Sequence, residues 1–151
     1  MTEILFYHLT ESRLDDALPG LVERSLDRDW RVVVQASHQE TCARLDEHFW
    51  TFRDDSFVPH AIATQSENDA KQPVLLTTAS DNPNGAHVRF LVDRAEPSST
   101  DGYERIVIMF DGHDMEAVSS ARENWKQLKA KNHKLTYWQQ EDGRWVKKAE
   151  S

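Results

Sequence analysis

Nearly unbroken apolar runs, alternating with helical patterns, constrain this chain more than any other feature. WRVVVQ (30–35), VLLTT (74–78) and RIVIMF (105–110) are dominated by apolar, largely β-branched residues. A strand with one wet face alternates apolar and polar residues, whereas a strand covered on both faces does not. These runs therefore predict strands of a mainly parallel sheet packed between other layers. EILFYH (3–8) and VRFLV (88–92) read as two more. Leu14, Leu18, Leu21, Val22 and Leu26 recur at helical spacing between Glu11 and about Leu26, with Pro19 predicting a kink or an early break. Ser37 is placed to cap a second helix through Phe49, whose apolar positions are Cys42, Leu45 and Phe49, with Trp50 at its end. A third helix is predicted from its cap Asp114 to Lys131, stopped by Asn132. Leu135–Trp138 and Arg144–Val146 form a closing hairpin about Asp142 and Gly143, and the polar stretch 61–72 is expected to be exposed. The fold class is α/β, and 151 residues suit a single domain over 1–151, its last few residues disordered.

The net charge of −8 conceals a division. Residues 1–121 hold 10 Lys or Arg against 22 Asp or Glu, while residues 122–151 hold 8 against 4. An acidic body repels phosphate backbones, which argues against high-affinity binding of nucleic acid over the whole surface. A local basic patch suits a short acidic peptide instead. No apolar run is long enough to span a bilayer and the N-terminus lacks the pattern of a signal peptide, so no membrane partner is expected. Cys42 is the sole cysteine, which fits a cytoplasmic chain and a small buried hydrophobe.

None of the five glycines forms a dinucleotide fingerprint or a P-loop, and the seven histidines show no metal-helix spacing. Neither a cofactor nor a metal is expected. Asp111, His113 and Asp114 follow a predicted strand, at the sheet edge where α/β proteins place ligands. Two carboxylates and an imidazole there define an alternative, a small metal-dependent hydrolase or nucleotide-modifying enzyme. A turn at Asp111 and Gly112 with a cap at Asp114 explains the same residues without chemistry. LDEHFWTFRDDSFVPH (45–60) crowds Phe49, Trp50, Phe52 and Phe57 together, more aromatics than a helix end and loop can all bury. On the third helix, Arg122, Lys126 and Lys129 form a basic stripe beside an apolar one of Met115, Val118, Ala121, Trp125 and Leu128. Trp125 lies between the stripes, an aromatic wall flanked by cations.

The strand motif FYHL with Phe6 and Tyr7, the linked blocks LDEHFW and SFVPH, and ARENWK at 121–126 resemble the chi subunit family of bacterial DNA polymerase III. The likeness is weak over about 61–104 and in the basic C-terminus RWVKKAES. It implies a three-layer α/β/α fold of Rossmann-like topology and no catalytic activity. It also implies a bridge between the clamp-loader assembly and the acidic C-terminal tail of single-stranded-DNA-binding protein. Arg122, Trp125 and Lys126 match the family's tail-binding positions, where Tyr often stands in place of Trp125. Lys129 is added from helix spacing alone. Trp50 and Phe57, with Pro59 of the SFVPH block, match positions that the family uses for the psi subunit or a replacement partner such as a helicase.

Overall fold

The computed structural model describes residues 2–51 and 58–151. In chain order the elements are β1 (Glu3–Leu9), α1 (Leu14–Asp27), β2 (Val32–Gln35), α2 (Gln39–Thr51), β3 (Ala61–Ile62), a 3-10 turn (Glu67–Lys71), β4 (Val74–Thr77) and β5 (Val88–Leu91), followed by β6 (Arg105–Asp111), α3 (Met115–Ala130), β7 (Lys134–Glu141) and β8 (Arg144–Glu150). The strands form one sheet in the order β3-β4-β2-β5-β6-β1-β7-β8. Every pairing is parallel except the β7–β8 hairpin. β1 lies between β6 and β7, with Ile4 opposite both Ile106 and Leu135.

Alternate residues of each strand enter two cores, as the pleat requires. Leu5, Val32, Val34, Val107 and Met109 pack with Leu18 and Val22 of α1 and with Cys42, Leu45 and Phe49 of α2. Ile4, Phe6, Ile106, Ile108 and Leu135 pack with Ala117, Ala121 and Leu128 of α3. This is the predicted three-layer α/β/α arrangement. Burial on both faces explains why β2 and β4 carry almost no polar residues.

The structure corrects several local expectations. Helix α1 runs on past Pro19, which is buried, so the early break does not occur. The bond that this proline cannot donate would reach the Asp15 carbonyl in the first turn, where little regular helix precedes it to be disrupted. The entry to α2 is held by Asp93 rather than by a Ser37 cap: its carboxylate accepts from Ser37 N at 3.1 Å and from Thr41 Oγ1 at 2.8 Å, and meets His38 Nδ1 at 2.8 Å. The segment 61–72 is not simply exposed. It contributes β3 and buries Asp69, whose carboxylate accepts from Thr64 N at 3.0 Å and Gln65 N at 2.8 Å. These bonds, Thr64 N–H foremost, hold its carboxyl below the ordinary range. Strand β8 extends to Glu150, so the last few residues, expected to be disordered, are ordered against β7, and Ser151 N donates to Leu135 O at 2.9 Å. Asp142 (φ 52°) and Gly143 (φ 75°) are both left-handed, as a two-residue hairpin turn demands. Arg89 is 3% exposed and satisfied without a carboxylate: it donates to Gln35 Oε1 (2.9 and 2.7 Å), Tyr103 Oη (3.0 Å) and the carbonyls of Ala79 (2.6 Å) and Asp81 (3.0 Å).

Candidate functional site

Helix α3 crosses from β6 over β1 to β7, and its cap is the one that the sequence predicts. Asp114 Oδ1 accepts from Glu116 N at 3.0 Å and Ala117 N at 3.2 Å. Ala117, Ala121, Asn124 and Leu128 form the buried face. Met115, expected to begin the apolar stripe, is 86% exposed because it lies in the first turn, off that face. Trp125 sits at the margin, half-buried. Its ring meets Phe6 edge-on at 5.3 Å and Tyr137 at 6.0 Å, while Phe6 and Tyr137 stack at 6.3 Å. Arg122, Lys126 and Lys129 are exposed beside it. The structure therefore brings these four predicted residues onto one surface, with a braced aromatic ring next to three cations.

Two residues of this surface escaped the sequence reading. His8 Nδ1 lies 2.7 Å from Tyr137 Oη, and its ring packs on Phe110 at 4.9 Å. Period-two alternation from Phe6 to His8 and the parallel register placing Phe6 opposite Tyr137 are the signals that locate them. Partial burial, then the charges of Arg122 and His113, lower the His8 pKa below its ordinary value; Asp111 opposes them. Burial raises the Tyr137 phenol and Arg122 pulls it back. Arg122 thus acts electrostatically on both partners of the hydrogen bond. A Cβ at Gly112 would run into His8 Nε2, so this turn needs glycine to seat the imidazole.

Helix α2, which carries Trp50, lies on the opposite layer. Trp50, at the end of α2, is 53% exposed, and its ring rests 4.6 Å from that of His60. His60 is buried, with Nδ1 2.6 Å from Val58 O and Nε2 3.0 Å from Asp46 O. Pro59 is partly buried. Phe52 and Phe57 lie outside the described residues.

Strands β1 and β6 are neighbours whose helices leave on opposite faces, and a crevice of about 540 Å³ opens between their carboxyl ends. This switch point is where α/β folds place ligands. Its charged groups already have partners: Arg44 Nε donates to Asp15 Oδ2 at 3.0 Å, and Arg94 pairs with Glu116 at 3.0 Å. Asp111 Oδ1 accepts from His113 N at 2.8 Å, and His113 Nε2 lies 2.9 Å from Thr10 O. Asp114 is the helix cap. Among the described residues no group of three His, Cys, Asp or Glu is placed to hold a metal ion. Asp111, His113 and Asp114 line this crevice and make a turn and a cap, and among the described residues no helix is long and apolar enough to cross a membrane.

Residues 1–136 match the family described as DNA polymerase III chi subunit, HolC. A protein named probable DNA polymerase III subunit chi, from Rickettsia prowazekii, is 23% identical over 136 residues, 90% of this chain and 81% of that one. The DNA polymerase III subunit chi of Pseudomonas aeruginosa is 30% identical over 97 residues, 62% of this chain and 64% of the relative.

Proposed function

Because the chain belongs to the DNA polymerase III chi subunit family, we propose that it serves DNA replication as a non-catalytic, cytoplasmic accessory subunit. In this reading it associates with the clamp loader and holds the acidic C-terminal tail of single-stranded-DNA-binding protein. The observation that carries the reading is Trp125, braced by Phe6 and Tyr137 and edged by Arg122, Lys126 and Lys129. A fixed aromatic floor receives the apolar terminal side chain of such a tail, Arg122 pairs with its terminal carboxylate, and the lysines meet the preceding aspartates. His8 and Tyr137 form one wall of the same surface, within electrostatic reach of Arg122.

The test is fluorescence anisotropy of a labelled acidic tail peptide titrated with the protein at low and moderate salt. Micromolar binding that weakens with salt and requires the peptide's last residue is expected, since exposed charge contacts are screened. Equal binding by Arg122→Ala and the parent protein places the tail elsewhere.

The exposure of Trp50 favours a second contact through Trp50, Pro59 and Phe57 with the psi subunit or a replacement such as a helicase. Loss of partner co-purification in Trp50→Ala, with tail binding intact, is the expected result.

A further inference from the structure

We propose that the pocket between α1 and the sheet, where Arg24, Arg28 and Arg105 surround Tyr7, binds a phosphate-type oxyanion, either free or carried in a nucleic-acid backbone. The pocket measures about 170 Å³, and Ser25 also lines it; no carboxylate does. Water occupies about 30 Å³ per molecule in the liquid, so the space admits one oxyanion with a few waters and excludes a nucleobase beside it.

The cations are the first argument. The first 121 residues contain only 10 Lys or Arg against 22 acidic residues, yet three of the ten converge here. Arg24 lies in the last turn of α1 and Arg28 is its C-cap, so the two guanidiniums stand one helical turn apart at the helix end. Neither forms an ion pair with another described residue. Arg105 has Glu3 at 3.1 Å, but that carboxylate is shared with Lys134 at 3.5 Å. The pocket is therefore left with an excess of positive charge in a body that is otherwise strongly negative.

Positioning is the second argument. Trp30 carries Arg28 at 5.1 Å and Arg105 at 5.3 Å from its ring centre, so cation–π contacts hold both guanidiniums beside the cavity. Tyr7 lines the pocket, and Trp145 stacks on it at 4.6 Å. Burial raises the Tyr7 phenol against the pull of Arg105, Arg24 and Arg28, so it remains a hydrogen-bond donor at neutral pH. The rings here are already engaged, since Trp30 also stacks with His87 at 6.4 Å. That engagement favours recognition of an oxyanion over stacking of a base. Guanidiniums suit this role because their forked donors match the oxygens of phosphate.

The experiment is ¹H–¹⁵N NMR of the full chain titrated with sodium phosphate, sodium chloride of matched ionic strength, and a short oligothymidylate. The indole N–H signals of Trp30 and Trp145 report on the pocket. Saturable shifts with phosphate or oligothymidylate that chloride does not reproduce are expected, weakened tenfold or more in the Arg24→Gln, Arg28→Gln double variant and unchanged in Arg122→Ala. Tighter saturation by oligothymidylate assigns the phosphate to a nucleic-acid backbone, and tighter saturation by inorganic phosphate assigns it to a free ligand. Shifts equal to those with chloride, or unaltered in a double variant whose spectrum shows it folded, overturn the proposal.

Discussion

Trp125 and Trp50, the aromatic residues of the two proposed contacts, are built into the molecule differently. Trp125 is half-buried, locked by Phe6 and Tyr137, and surrounded by cations. Trp50 stands 53% exposed at a helix end and rests on His60. A braced ring among charges positions a small ligand and makes its binding salt-dependent. A projecting ring suits an anchor that becomes fully buried only in a complex. Under the proposed function, structural stability and binding are therefore coupled at Trp125 and separable at Trp50.

Replacing each tryptophan is the most direct way to break that contrast. Trp125→Ala is expected to cost about 2–4 kcal/mol, since it removes a partly buried ring from a three-ring cluster. Trp50→Ala is expected to stay within about 1 kcal/mol, and urea unfolding of both variants checks the difference. Trp125→Tyr retains a ring at the margin and should keep most of the binding. Next in size, Arg122→Ala weakens the tail peptide by tenfold or more, because a charge-assisted contact contributes about 1.5–3 kcal/mol. Trp50→Ala leaves that anisotropy curve unmoved. Gly112→Ala displaces His8 from Tyr137 and costs about 1–3 kcal/mol, as crowding of a packed site does. A smaller loss of peptide affinity accompanies it if the wall matters.

The smallest effect is a pH dependence. The folded-state pKa of His8 is lowered, so the folded protein holds fewer protons there than the unfolded chain. Its contribution to stability is present above about pH 6.5 and is lost as pH falls toward the lowered value. An acidic peptide near Arg122 raises the same pKa, so binding is expected to take up protons and to strengthen as pH falls below about 6.5. His8→Gln should flatten both profiles, measured by urea unfolding and by anisotropy across that range.

The layers were legible in the sequence because β2, β4 and β6 are buried on both faces, a state that leaves a compositional trace. The basic stripe was legible for a similar reason, since helical spacing alone places Arg122, Lys126 and Lys129 together. What stayed hidden depends on pairings between distant residues. The two-residue strand β3 has no periodicity to read and exists because β4 supplies its partner. Arg89 sits in an apolar run with nothing nearby to announce that Gln35, Tyr103 and two carbonyls would satisfy it. The bond between His8 and Tyr137 spans 129 positions, and only the sheet order reveals it. Pro19 misled because helix rules weigh the residue more heavily than its place near the first turn.

The position of β1 has a consequence for biosynthesis. Strand β1 is flanked by two strands made long after it, with Ile4 opposite Ile106 and Leu135. At roughly 5–20 residues per second, β1 waits roughly 6–25 seconds after its own synthesis before its β7 partner is made. Until β6 is made, late in that interval, its apolar residues have neither of their final neighbours, and the nascent chain is exposed to chaperones, proteases and other nascent chains.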